Sequence, residues 1–144
     1  MTDTAGMLSW PTGRLLSTAA RLVEHAWAEA LEKIGLTHAG LIVLHLLGSG
    51  PLSQTELASR ARVEVQTMSR TLERLEREGY VARQKHPKDG RRHIVTRTPE
   101  GDTVWDSART LEADLFPGAA DTPTMRAALL EIIAAAAAER WNSD

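Results

Sequence analysis

The 144 residues carry a formal net charge of −2 and contain no cysteine. A chain of this length builds one domain with a real core, and the missing thiols exclude disulfides, cysteine-ligated zinc and thiol catalysis. The apolar runs are too short for a membrane span and the slightly acidic start is not a secretory signal, so we expect one cytoplasmic domain over residues 1–144 with no membrane partner.

The charge is unevenly distributed along the chain. Residues 53–100 contain eleven Lys or Arg against seven Asp or Glu, a net of +4, which leaves −6 for the rest. A basic centre between acidic ends is what a single domain shows when one of its faces meets a polyanion. Ordinary scatter of charge gives the same numbers, so composition alone leaves both interpretations open.

Two helices are predicted before residue 50. Apolar residues recur at alternating three- and four-residue steps from Arg14 to Ile34, which predicts one long amphipathic helix that ends at Gly35. A shorter apolar helix follows Thr37 and stops at the sequence Gly-Ser-Gly-Pro of residues 48–51.

A helix-turn-helix is predicted next. Ser53 and Glu56 have the spacing of a capping box, in which each residue satisfies a backbone donor of the other, and a short helix to about Arg60 begins there. In the following helix, apolar and polar residues fall on opposite sides at 100° per residue. The apolar side comprises Val65, Met68, Leu72 and Leu75, and the groups that can reach bases or phosphates are Gln66, Thr67, Ser69, Arg70, Arg74 and Arg77.

Two short strands, residues 80–85 and 92–96, are predicted around a basic loop. A recognition helix followed at once by such a hairpin is typical of a winged helix, whose wing enters the minor groove of DNA. Lys88, Arg91 and Arg92 are the candidate contacts there. The alternative is a solvated loop with no role.

The last third of the chain predicts two more helices. Thr98 and Pro99 start one that runs to about residue 116, and Thr122 with Pro123 repeats that signal. The second helix contains five consecutive alanines at 134–138, which permit close approach of a partner helix. A low-complexity run without meaning is the alternative.

No catalytic or metal site is indicated, so we expect neither an enzyme nor a cofactor. His38 and His45, seven residues apart, share a helix face that could hold a metal, but they are only two ligands. Ser53, the most tempting nucleophile, is already explained by capping.

Several motifs resemble the MarR family of winged-helix transcriptional regulators. They are Leu36-Thr37, residues 53–58 (SQTELA), 67–70 (TMSR), 72–81 (LERLEREGYV), 89–92 (DGRR) and 98–101 (TPEG). The resemblance implies a mainly α-helical fold with a small β-hairpin wing, arranged as a triangular homodimer on a pseudo-palindromic DNA operator. It further implies dimerisation helices at 10–35 and 117–144, a DNA-binding lobe at 37–100 and a connecting helix at 98–116. Asp89 and Arg91 then match the family's wing pair, which orients the wing by an ion pair.

Three positions depart from the family pattern. Arg62 and Glu64 stand where the family has glycine in the turn and a Ser, Thr or Asp cap, which predicts a weaker helix start. Arg97 replaces an apolar residue before Thr98, so we expect a more exposed wing exit or one more phosphate contact.

Many regulators of the resembled family bind small aromatic molecules between the dimer layer and the DNA lobe. The residues expected to line that cleft are Trp10, Arg14, Trp27, His38, His45 and Trp105. Core packing or a dimer interface is the competing interpretation of each tryptophan. The residues thus predict a DNA-binding regulator, and the resemblance implies a homodimeric repressor released by a small aromatic effector; a winged-helix protein-interaction scaffold is the alternative.

Overall fold

The computed structural model describes residues 3–141, with side chains as far as Glu139, so the ends of the predicted segments 1–144 and 117–144 lie outside the described residues. Within that range the chain forms six α-helices and a small sheet, with short 3-10 turns at Ala5–Met7 and Leu47–Ser49. In chain order the elements are α1 (Thr12–Lys33), α2 (His38–Leu46), β1 (Leu52–Ser53), α3 (Gln54–Ala61), α4 (Val65–Arg77), β2 (Val81–Lys85), β3 (His93–Arg97), α5 (Pro99–Leu115) and α6 (Pro123–Trp141).

The predicted helix starts are confirmed by their caps. The Thr37 hydroxyl accepts a hydrogen bond from the Gly40 amide at 3.0 Å, and the Thr98 hydroxyl accepts one from the Gly101 amide at 3.0 Å. The Ser53 hydroxyl likewise accepts from the Glu56 amide at 3.1 Å. Each bond satisfies a backbone donor that the first helical turn leaves without a partner.

The second half of the capping box is not formed. The Glu56 carboxylate was expected to return to residue 53, but its Oε1 lies 3.6 Å from Nη2 of Arg92. Ser53 belongs to β1, where it pairs with Ile94 of β3, so its backbone is already engaged in the sheet. Glu56 therefore faces the base of the wing.

The sheet has three antiparallel strands in the order β1-β3-β2. The predicted hairpin is confirmed as β2 and β3, with Val81 opposite Arg97 and Lys85 opposite His93, although both strands begin one residue later than expected. Strand β1 was not predicted. It is only two residues long, and Leu52 and Ser53 come directly before a helix start, whose signal dominates the local sequence.

The core lies between α2, α3, α4, the sheet and α5. Its most buried side chains include Leu44, Leu57, Leu72 and Val95, each with 0% exposure. Met68 and Leu75 point inward from α4 as predicted, but Val65 is 52% exposed, so that part of the apolar side was wrongly assigned. A helix wheel gives a direction, and it cannot show where the neighbouring elements stop covering that side.

Helix α5 is docked tightly on the start of the wing. A Cβ at Gly101 would collide with the Tyr80 carbonyl oxygen, so only glycine permits this approach. The Thr98 amide donates to that same oxygen at 3.1 Å, and the Tyr80 hydroxyl donates to the Ile34 carbonyl at 3.3 Å. Tyr80 thereby joins the end of α1, the wing and α5.

Helix α6 stands largely outside this core. Of its described side chains, residues 123–139, none is buried and only Leu129 and Ala137 are half-buried. Large apolar groups therefore face solvent on this helix and on α1, namely Met125, Leu130, Ile132, Ile133, Leu15 and Leu22.

No single helix among the described residues has both the length and the apolar character that a membrane span requires. Thr12–Lys33 and His38–Ser49 meet those requirements only when taken together, and they are bent by 78° relative to each other.

Candidate nucleic-acid interface

The turn between α3 and α4 is made without glycine. Arg62 adopts the left-handed conformation, φ 57° and ψ 46°, and is the only non-glycine residue with positive φ in the described chain. The Val63 amide closes the turn by donating to the Ala58 carbonyl at 3.0 Å. An L-residue adopts this conformation at a cost in steric strain, so the arginine performs what a glycine would do more easily.

Helix α4 then starts without a side-chain cap. Glu64 occupies the N-cap position and its side chain makes no capping hydrogen bond, as the departure from the family pattern predicted. The amide groups of the first turn are therefore open to solvent or to a ligand.

The polar side of α4 is exposed as predicted. Arg70, Arg74 and Arg77 are exposed and make no ion pair within residues 3–141, so their charges are available to a polyanion. Gln66 and Thr67 are exposed beside them, and Ser69 is half-buried on the edge of the stripe. These six side chains thus lie on one accessible surface, called here the α4 stripe.

Arg83 anchors the wing to the helix-turn-helix and was missed in the sequence. Its Nε lies 3.3 Å from the Glu76 carboxylate on α4, and its Nη1 donates to the Gln54 side chain on α3 at 3.4 Å. A signal existed, because side chains alternate along a strand and Arg83 shares the inward face of β2 with Val81.

The basic loop of the wing is closed at its base by a hydrogen bond from the His86 amide to the Arg92 carbonyl, 2.8 Å. Lys88 and Arg91 lie exposed beyond it. Arg92 was expected at the tip, but it sits at the base, where its guanidinium is paired with Glu56. Of the three predicted wing contacts, two remain unpaired among the described residues.

Asp89 and Arg91 contact each other, but not through their charges. The Asp89 Oδ1 accepts a hydrogen bond from the Arg91 backbone amide at 3.1 Å. No ion pair joins the two side chains in the described structure, which corrects the expected form of the wing pair. Within a tight loop the amide two residues on is the nearest donor, so the Arg91 guanidinium is left pointing to solvent.

Arg97 is engaged in contacts within the fold. Its side chain is only 17% exposed, its Nε lies 2.6 Å from the Asp102 carboxylate, and its Nη1 donates to the Leu44 carbonyl at 2.9 Å. Its guanidinium also lies 5.8 Å from the centre of the Trp105 ring. Arg97 therefore ties the end of β3 to α2 and α5, and the expectation of an exposed wing exit was wrong.

The residues expected to bind an effector form three separate pairs. Trp27 stacks on His38 at 5.8 Å between ring centres, and His45 lies 5.3 Å from Trp105. The Arg14 guanidinium lies 5.5 Å from the Trp10 ring. Arg14 and Trp27 are thirteen residues apart on α1, which is about 20 Å, so one protomer does not bring all six together.

The indole N–H of Trp27 is an unsatisfied hydrogen-bond donor in the described structure. Its Nε1 is buried without a hydrogen-bond partner among the described residues. A buried polar group in that state costs stability, so an acceptor supplied by another molecule would be bound favourably.

An exposed polar helix preceded by a turn and a shorter helix, and followed by a basic hairpin, defines a winged helix-turn-helix protein. This class confirms the predicted mainly α-helical fold with a small hairpin wing.

The comparisons with known proteins agree with that class. Residues 34–92 match the MarR family. YwoH of Bacillus subtilis, named an uncharacterized HTH-type transcriptional regulator, is 35% identical over 92 residues, which are 63% of this chain and 66% of YwoH. The transcriptional repressor Rv2887 of Mycobacterium tuberculosis is 36% identical over the same shares of the two chains. CouR, a repressor solved on a 23-mer DNA duplex, superposes with a TM-score of 0.76 at 28% identity, over 95% of this chain and 99% of CouR.

The chain belongs to the MarR family of transcriptional regulators. The resemblance seen in the sequence is thereby confirmed, and so is the assignment to a class of regulators and not of enzymes.

Proposed function

We propose that this protein is a cytoplasmic homodimeric repressor that binds an inverted-repeat DNA operator and is released from it by a small aromatic effector. The observation that carries the DNA-binding part is the α4 stripe, whose three arginines have no ion-pair partner in the described structure, whereas Arg83, Arg92 and Arg97 are each paired with a carboxylate. Unpaired cations beside a wing are what a phosphate backbone requires.

Helix α4 and the wing contact different parts of the DNA in this proposal. The first turns of α4, with Gln66, Thr67 and Arg70, enter the major groove, where amide, hydroxyl and guanidinium groups read base edges. Arg74 and Arg77 lie further along the helix and contact the backbone. Lys88 and Arg91 of the wing reach the minor groove, where the negative potential is strongest. Arg92 acts through Glu56 by holding the wing base, so it is a positioning residue here.

Homodimer formation is supported by the apolar surface left exposed on α1 and α6. Leu22 is 66% exposed, Leu130 63% and Ile133 57%, which is unfavourable for a soluble helix unless another surface covers it. We expect a dimer that covers both helices with those of a second copy to place its two α4 helices on one side. A two-fold dimer reads an inverted repeat, with half-site centres spaced by about 10 bp or a multiple of it.

Selection of genomic fragments bound by the purified protein tests the DNA-binding proposal. We expect enrichment of one inverted-repeat motif, and a motif relaxed at particular base positions in a parallel selection with Arg70→Ala. A fragment pool without any shared motif would contradict sequence-specific binding and favour the alternative, a winged-helix interaction scaffold.

The effector proposal is supported by the rings at α2. Trp27 with His38, and His45 with Trp105, place two aromatic pairs along one helix, and the Trp27 indole N–H lacks an acceptor among the described residues. A flat aromatic molecule that carries an acceptor oxygen would satisfy both features.

A panel of small aromatic acids, tested for release of the operator and for heat of binding, checks the effector proposal. We expect one or more members to bind and to weaken operator affinity. Trp27→Phe keeps a ring and removes the donor, so it should weaken binding of the acid while leaving the affinity for DNA unchanged. Absence of binding across the panel, or an undiminished response in Trp27→Phe, would contradict this assignment.

A further inference from the structure

Val65 is an apolar side chain in an unusual place. It is the first residue of α4 and is 52% exposed, whereas Met68, less than one turn later on the same helix, is 2% exposed. A branched side chain exposed in that way contributes little to the core. Its periodicity with Met68 and Leu72 had suggested a buried position, so the fold gives no structural reason for the valine.

Helix geometry directs this side chain towards the candidate interface. In an α-helix every Cα–Cβ bond tilts towards the N-terminus, so a side chain at the first position leans past the helix end. Ser69 lies on the same edge one turn later, and Gln66 is the next residue of the exposed stripe. The valine methyl groups are therefore continuous with side chains that are suited to read bases.

The base edges in the major groove offer one apolar partner. Guanine, cytosine and adenine present only donors and acceptors there, whereas thymine presents its C5-methyl group beside one acceptor. Valine has no polar atom in its side chain and cannot satisfy a donor or an acceptor. A phosphate oxygen next to it would lose hydration without compensation.

We propose that Val65 reads the C5-methyl group of one thymine in each operator half-site. This inference rests on the proposed function, because it requires the start of α4 to enter the major groove. The contact removes both methyl surfaces from water. It makes Val65 a specificity-determining residue, since loss of one buried methyl changes a dissociation constant by about fourfold.

Replacement of thymine by deoxyuridine tests this contact in isolation. Deoxyuridine lacks only the C5-methyl group and keeps the same donors and acceptors. Each thymine of the selected operator is replaced in turn, at the same position in both half-sites, and the affinity is measured for the wild type, Val65→Ala and Val63→Ala. Val63 is a matched control, because it is also an exposed valine (39%) but lies before the helix.

We expect one thymine position at which deoxyuridine weakens wild-type binding about fourfold per half-site. Val65→Ala should bind the thymine operator more weakly and lose the distinction between the two bases at that position, while Val63→Ala retains it. Unchanged affinity for random DNA shows that Val65→Ala is folded.

The proposal is overturned if no thymine position is sensitive to deoxyuridine in the wild type, or if Val65→Ala keeps the full sensitivity. Failure of the proposed function would look different, because the wild type would then not distinguish the unmodified operator from random DNA.

Discussion

Arg70 and Arg91 are both exposed cations without an ion-pair partner in the described chain, but they lie on elements that meet DNA differently. Arg70→Ala should cost about 1 to 3 kcal/mol of operator binding and relax the preference at particular base positions. Arg91→Ala should weaken binding to operator and random DNA alike and reduce the slope of log affinity against log salt by about one for each phosphate that it no longer neutralises. Fluorescence anisotropy over a salt series, with Arg21→Ala on α1 as control, measures both effects. Equal losses of specificity in the two variants would contradict this division.

Asp89 allows its charge to be separated from its hydrogen bond. Its Oδ1 accepts from the Arg91 amide, so Asp89→Ala removes both the bond and a negative charge near phosphates, whereas Asp89→Asn keeps an acceptor and removes only the charge. We expect Asp89→Ala to weaken DNA binding by about 0.5 to 1.5 kcal/mol through a less ordered wing, and Asp89→Asn to bind as well as the wild type or better. If titrations showed both variants gaining affinity equally, the carboxylate would act only by repulsion.

At the scale of single elements, one substitution at the start of α4 should stabilise the fold, and one at the start of α3 should destabilise it. Glu64 keeps a favourable charge at the helix N-terminus but makes no capping bond, while the Ser53 cap is formed. Glu64→Asp shortens the side chain into capping range and should stabilise the fold by about 1 kcal/mol, and Ser53→Ala should destabilise it by at least about that amount. Urea unfolding measures both changes as shifts of the midpoint, provided that the slope of unfolding free energy against urea concentration is the same in each variant. A lower midpoint for Glu64→Asp would mean that the turn, strained at Arg62, does not accommodate the cap.

Helix and hairpin positions could be predicted because their signals are local. Thr37, Ser53 and Thr98 each mark a start within four residues, and the structure confirms all three caps. The candidate DNA contacts on α4 also follow from periodicity alone. The spacing of residues along one helix shows which of them lie opposite its apolar side, whatever the other elements do.

Contacts between distant elements were not predictable in the same way. Arg97 seemed suited to phosphates, but Leu44 and Asp102, which hold it, are 53 and 5 residues away. Val65 follows the same period as Met68 and Leu72, but it is 52% exposed at the start of α4. Arg92 and Glu56 likewise meet only after the three-stranded sheet has formed.

On the scale of the whole molecule, the exposed side of α6 should be a subunit interface. Ile133→Glu or Leu130→Glu would place a charge in the middle of that apolar surface, and a buried unpaired carboxylate is costly. Light scattering should report a dimer for the wild type and a monomer for these variants. Thr124→Glu adds the same charge to the first turn of the same helix and should remain a dimer. A monomeric wild type would contradict the proposed interface, and so would an Ile133→Glu variant that remains a dimer.

The position of α6 outside the core also affects how the protein melts. A 19-residue helix is only marginally stable by itself in water, and none of the described side chains of this one is buried by its own lobe. The free energy that keeps it helical must then come from mass action between two chains, so the melting temperature should rise as the protein is concentrated. On dilution α6 should unravel at a lower temperature than the winged lobe, whose core is complete within one chain. Calorimetric scans over a hundredfold range of protein concentration would show two transitions that move apart, with only the first depending on concentration.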